Sequence, residues 1–216
     1  MPPLARLLPA LALSALLCLT LAAAAQARCG QKRSAKPVRA SSATPPTLVI
    51  GDSVLYDAVP LLARRGYEAN GMICRRMEQG LAILRNRARL KRLPRKVILE
   101  LGANGPVTTA HILEALTLLG PRRKLLLLTP TDTSVEPGML PGADATVMQS
   151  AMLTWPGHVK VLDWASLTKA HPEWMARDGV HLAGPAGVQG LVNFIVAEPP
   201  WSPPAILGPH GGFEAP

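Results

Sequence analysis

At 216 residues the chain is long enough for one sizeable domain and cramped for two, and a hydrophobic content of 48% provides for a buried core. The net charge of +9 invites a nucleic-acid partner, but aromatic residues amount to only 4%. Stacking side chains are nearly absent around the densest basic run, so that class is set aside. A basic surface points instead to anionic envelope polymers or phospholipid head groups.

The first 27 residues read as a signal peptide. Arg6 precedes an apolar run, and Ala25-Gln26-Ala27 has the small-x-small form of a cleavage site. The competing reading is an uncleaved anchor, but Pro9 interrupts the run. Lipoprotein processing does not fit, because Leu17 precedes Cys18 and Arg28 precedes Cys29. Residues 28–46, rich in Ser, Ala, Lys, Arg and Pro, are expected to be a flexible linker. The folded domain is expected over 47–197, and 198–216 is a Pro- and Gly-rich tail. Cys29 and Cys74 remain after export and could pair in an oxidising compartment, a question the sequence leaves open.

Short apolar runs within the domain have the length of buried strands: Thr47 to Ile50, Lys96 to Leu101, Lys124 to Thr129 and Val159 to Trp164. Gly66 to Asn70 gives a weaker strand signal. Amphipathic segments lie between them at Val54 to Arg65, Met77 to Leu90, Thr108 to Leu119 and Ala143 to Thr154, and a last helix covers Pro185 to Ala197. The alternation predicts an α/β fold with a parallel sheet covered on both faces. Seven basic side chains (Arg85, Arg87, Arg89, Lys91, Arg92, Arg95 and Lys96) read as a solvated helix face and the loop after it.

In such sheets, functional groups gather beyond the carboxyl ends of the strands. Gly51-Asp52-Ser53 follows the first strand, where Ser53 is either an N-cap or a nucleophile at a helix start. Gly102-Ala103-Asn104-Gly105 follows "KVILEL", so Asn104 is either a turn residue or an oxyanion donor. Before the last helix, "RDGVHL" sets Asp178 three residues ahead of His181, a spacing that lets the carboxylate orient the imidazole towards Ser53. Neither His111, His158, His171 nor His210 has a carboxylate so placed in a Gly-flanked loop. No HExxH, paired CxxC or phosphate-cradling Gly loop is present, so no metal or other cofactor is expected.

Together these blocks resemble the SGNH hydrolases, or GDSL-like esterases. Gly51-Asp52-Ser53 matches the first block, Gly102-Ala103-Asn104 the third and Asp178-Gly179-Val180-His181 the fifth. More narrowly, "LELGANG", "VLDW" and "DGVHL" resemble the periplasmic SGNH domains associated with membrane acyltransferases that O-acetylate cell-surface polysaccharides. The resemblance implies a three-layer α/β/α flavodoxin-like fold and a Ser53–His181–Asp178 triad. It also implies an oxyanion hole from the Ser53 and Cys74 amides and the Asn104 side chain. Cys74 stands at the family's glycine position, with Gly71 as substitute, and Arg75 matches the subfamily's arginine. Asp52 is expected to brace the turn, and Asp163 is a competing partner for His181. The function implied is an exported, monomeric serine esterase acting on short-chain acyl, such as acetyl, esters of envelope carbohydrate. The alternatives are an O-acetyltransferase working with a membrane acyltransferase, or a non-catalytic polysaccharide-binding module.

Overall fold

The computed structural model describes residues 28–38, 46–131 and 142–198. The signal peptide expected over 1–27 and residues 199–216 of the expected tail lie outside the described residues. Six strands form one sheet: β1 (Lys32–Ala35), β2 (Leu48–Gly51), β3 (Glu68–Met72), β4 (Lys96–Glu100), β5 (Lys124–Leu128) and β6 (Val159–Leu162). Their order is β1-β3-β2-β4-β5-β6. Every pairing is parallel except that of β1 with β3.

The helices are α1 (Ser53–Tyr56), α2 (Val59–Arg64), α3 (Met77–Arg89), α4 (Thr109–Leu119), α5 (Ala143–Thr154), α6 (Trp164–Ala170) and α7 (Gly184–Val196). A 3-10 turn at Pro172–Trp174 precedes the last of these. Strand residues two apart point to the same face, and this alternation divides the core. Leu48, Ile50, Leu99 and Leu127 pack under α3, α4 and α5. Val49, Ile98, Leu126 and Leu162 pack under α1, α2, Trp164 and α7. The result is the three-layer α/β/α architecture. Among the described residues, no helix is long and apolar enough to cross a membrane.

Three sequence expectations need correction. The stretch 28–46 is not all linker, because β1 lies in it and forms an antiparallel edge. Its polar "KRSA" sequence hides the strand. An edge strand is held by its ladder, and here also by an Arg33–Asp57 ion pair and Arg33 stacked over Tyr56. The helix expected over Val54 to Arg65 is two, α1 and α2, with Pro60 in the first turn of the second. Asp163 does not extend β6; its side chain caps α6, which the sequence reading missed. Of the tail, Glu198 is engaged by Lys96.

Chain direction places the functional loops. The chain leaves β2 for β3 on one side and returns to β4 on the other. That reversal opens a crevice past the carboxyl ends of β2 and β4, and Ser53 and Asn104 follow those two strands directly.

Candidate active site

Ser53 is the first residue of α1, so its amide has no acceptor within the helix. The N-cap is Asp52, whose Oδ1 accepts from the Val54 amide at 2.9 Å. This is the brace expected of Asp52, and it leaves the serine hydroxyl unencumbered. The turn is tight: a Cβ on Gly51 would collide with Glu100 and Leu55, so only glycine fits between β2 and its neighbours.

His181 and Asp178 are presented by the loop between the 3-10 turn and α7. Met175 bridges Leu182 across this loop. Ala176 and Ala183 donate to the carbonyls of His181 and Trp174, both at 2.7 Å. Trp174 anchors its base by stacking on Trp164 and His171. His181 Nε2 lies 3.0 Å from Ser53 Oγ. Its Nδ1 lies 2.7 Å from Asp178 Oδ2. Asp178 Oδ1 accepts from the Val180 and His181 amides at 2.9 Å each. Partial burial pushes the Asp178 carboxyl up. The two amides and the His181 ring outweigh it, holding the pKa at about 2. Asp163 is engaged elsewhere, by Thr129 Oγ1 and the Ser166 amide.

The Asn104 amide nitrogen is buried and makes no full hydrogen bond among the described residues, although its side chain lies close enough to Asp52 to lower that carboxyl's pKa. Its loop is pinned from α5, where Asp144 Oδ1 accepts from the Val107 amide at 2.9 Å. Gly102 takes a φ of +139° beside Pro130 and Asp144, which only glycine tolerates. Cys74 lies in the β3–α3 loop with a φ of +62° and is disulfide-bonded to Cys29. Its amide donates to no acceptor among the described residues. Gly71, by contrast, is a ladder residue of β3, paired with both β1 and β2 and pressed against the Tyr56 backbone.

A buried ionic layer beneath the serine turn escaped the sequence reading. Asp52, Arg75 and Glu100 are only 0%, 2% and 4% exposed. Arg75 is therefore no surface arginine. It donates to Gly51 O and Asn70 O at 2.7 Å each and to Asn70 Oδ1 at 2.6 Å, stapling the ends of β2 and β3. Glu100 Oε2 accepts from the Asp52 amide at 3.2 Å. Burial lifts Asp52 to about 6, against the pull of the Val54 amide, Asn104 and His181. Glu100 is raised by burial and then by the charge of Asp52. Burial lowers Arg75 to about 10, so it stays protonated at neutral pH. The one signal for Glu100 in the sequence was a carboxylate closing an otherwise apolar strand. Among the described residues, no group of three His, Cys, Asp or Glu side chains could hold a metal ion.

No protein-family model matches the chain. Over 164 residues it is 29% identical to the peptidoglycan O-acetyltransferase OatA of Listeria monocytogenes, covering 73% of this chain and 25% of that protein. Over 153 residues it is 30% identical to the putative peptidoglycan O-acetyltransferase YrhL of Bacillus subtilis, covering 69% and 23% respectively. The chain thus spans about a quarter of the length of the curated relatives it matches. Among solved structures it superposes on the C-terminal catalytic domain of Streptococcus pneumoniae OatA with a TM-score of 0.58 and 22% identity, over 70% of this chain and 90% of that one. A G-D-S-L lipolytic family protein from Veillonella parvula gives a TM-score of 0.54 and 16% identity, over 70% and 96%. At these identities the structural likeness speaks for the fold.

Proposed function

The chain belongs to the SGNH, or GDSL-like, hydrolase family of ester hydrolases and acyltransferases, and on that premise we propose that it forms and resolves an acyl-enzyme on Ser53. The substrate class is a short-chain acyl ester, acetyl above all, of cell-wall carbohydrate. The observation that carries the reading is the hydrogen-bonded chain from Ser53 Oγ through His181 to Asp178, at 3.0 and 2.7 Å.

In this mechanism Ser53 Oγ attacks the ester carbonyl while His181 Nε2 takes its proton. Asp178, ionised throughout the neutral range, fixes the tautomer and stabilises the imidazolium. The amides of Ser53 and Cys74 and the Asn104 side chain donate to the oxyanion. Collapse breaks the bond to the alcohol, which leaves with the proton from His181. A second hydroxyl then attacks the acyl-serine, with His181 again as base. Water gives hydrolysis, and a sugar hydroxyl gives transfer.

Transfer is supported by the relatives, which are named as peptidoglycan O-acetyltransferases. Those proteins are about four times longer, and a membrane acyltransferase acting as acyl donor is the partner this reading implies. Action outside the cytoplasmic membrane is supported by the Cys29–Cys74 disulfide and the signal-like N-terminus.

A fluorophosphonate probe followed by intact-mass analysis tests the nucleophile. One adduct is expected on the wild type and none on Ser53→Ala or His181→Ala. An unlabelled but folded wild type would return the chain to the non-catalytic binding class. An acetyl-ester assay with and without wall glycan fragments then separates transfer from hydrolysis.

A further inference from the structure

The basic run of the sequence divides in the structure. On α3, the arginines have partners: Arg85 binds Glu114, Arg87 binds Glu68, and Arg89 binds Asn86. The loops beyond it behave differently. Leu93, Arg95, Arg122 and Arg123 line a cavity of about 470 Å³. Arg95 immediately precedes β4, while Arg122 and Arg123 immediately precede β5, two adjacent parallel strands. The cavity therefore sits at the amino end of the sheet, whereas Ser53 and Asn104 follow the carboxyl ends of β2 and β4. A five-residue strand separates the two ends by roughly 15 Å.

Three features fit this cavity to an anion. First, Arg123 is held in place: its Nε and Nη1 donate to Leu93 O and Leu119 O at 3.3 and 2.8 Å. Second, the exposed Arg95 and Arg122 side chains make no ion pair or hydrogen bond among the described residues. Third, "LKRLPRK" and "GPRRK", which supply the described lining of the cavity, contain no acidic residue, and the Glu198 carboxylate at this end is engaged by Lys96. Three guanidinium groups around one cavity repel one another, and an anion relieves that repulsion. Planar guanidinium forks match the oxygens of a phosphate with paired hydrogen bonds, which a surface lysine cannot reproduce.

We propose that this amino-end pocket is a binding site for a phosphate-class oxyanion, carried either by a lipid head group or by a free phosphate. Because the pocket lies at the pole opposite Ser53, a ligand there leaves the catalytic crevice open. Held by a head group, the domain would face its active site away from the membrane surface.

The full chain is titrated with inorganic phosphate by calorimetry at low ionic strength. In parallel it is sedimented with vesicles of phosphatidylglycerol or of phosphatidylcholine alone. Arg95→Gln/Arg122→Gln is the test variant; Arg123 is left intact because it also holds backbone carbonyls. Saturable phosphate binding that weakens at least tenfold in the variant supports the site. Capture by phosphatidylglycerol vesicles, reversed by phosphate, identifies the head group as the source. Phosphate binding without capture identifies a free phosphate ligand. No saturable binding in either arm, or equal binding by the variant, overturns the proposal.

Discussion

The two ends of the sheet are built from the same strands and carry opposite chemistry. At the carboxyl end, charge is buried: Arg75, Asp52 and Glu100 lie under the serine turn near enough to shift one another's pKa, and the Arg75 guanidinium holds two strand ends. At the amino end Lys96 is engaged by Glu198, but Arg95 and Arg122 are exposed and make no ion pair among the described residues. The buried layer serves position, since Arg75 cannot shift without leaving its buried guanidinium and the Gly51 and Asn70 carbonyls unpaired. The exposed cluster serves capture, since an unpaired guanidinium retains its hydrogen-bonding capacity for something else. The five parallel strands, β2 to β6, make the division possible, because their carboxyl ends all lie at one pole.

If the carboxyl end is the reactive pole, the largest effects fall there. Ser53→Ala should lower ester turnover by about 10⁴-fold or more, with the fold retained. A residual rate within tenfold of wild type would remove Ser53 from the chemistry. Asn104→Ala should cost about 100- to 1,000-fold in kcat with KM little changed, because its amide nitrogen is a buried donor that makes no full hydrogen bond among the described residues and is free to turn to an oxyanion. An equal rise in KM would instead mark Asn104 as a substrate-binding residue.

Next in size is the disulfide. It ties the segment before β1 to Cys74, whose positive φ and unpaired amide set the β3–α3 loop. It closes a loop between cysteines 45 residues apart, so Cys29→Ser should cost about 2–4 kcal/mol of stability. If Cys74 supplies an oxyanion donor, kcat should fall about tenfold as well, measured where the variant is still fully folded. Lost stability with an unchanged kcat would confine the bridge to holding the edge strand.

Much of this site could be read in the sequence because its residues are short-range signals. Ser53 after an apolar strand, Asn104 in a Gly-flanked turn and Asp178 three residues before His181 are local patterns, and local patterns survive without coordinates. The strand–helix alternation was legible for the same reason. What stayed hidden depends on distant partners. "KRSA" is a strand only because β3 offers it an edge, and Arg75 is buried only because Gly51 and Asn70 present carbonyls to it. Asp163 looked like a rival triad acid until Ser166 and Thr129 claimed it. The split of the basic run was equally invisible, since the acidic partners of Arg85 and Arg87 come from other elements.

The buried layer predicts a pH dependence. Asp52 and Glu100 hold their protons more tightly when folded than when unfolded. The native state therefore binds more protons, and this contribution to stability falls as pH rises from about 4 through about 6 and beyond. Asp178 works in the other direction: its depressed pKa adds stability above its ordinary value, lost as pH falls towards 2. Glu100→Gln keeps a carbonyl to accept the Asp52 amide but removes an ionisable group. It should raise stability at pH 8 and flatten the fall of stability with rising pH, read by urea unfolding. Lower stability at pH 8 would show instead that an ionised Glu100 paired with Arg75 is what holds the layer.

The smallest effect separates the two poles most sharply. Arg122→Gln removes one exposed cation from the amino end and touches none of the groups around Ser53. Ester turnover should stay within twofold of wild type at moderate salt, because a charge a strand's length away is screened beyond about 10 Å at 0.1 M ionic strength. Phosphate binding in the same preparation should weaken. A tenfold fall in turnover would mean that the sheet transmits occupancy of one end to the other. In a packed parallel sheet that requires a shift of β4 itself, since β4 begins at the arginine pocket and ends at Glu100 beneath the serine turn.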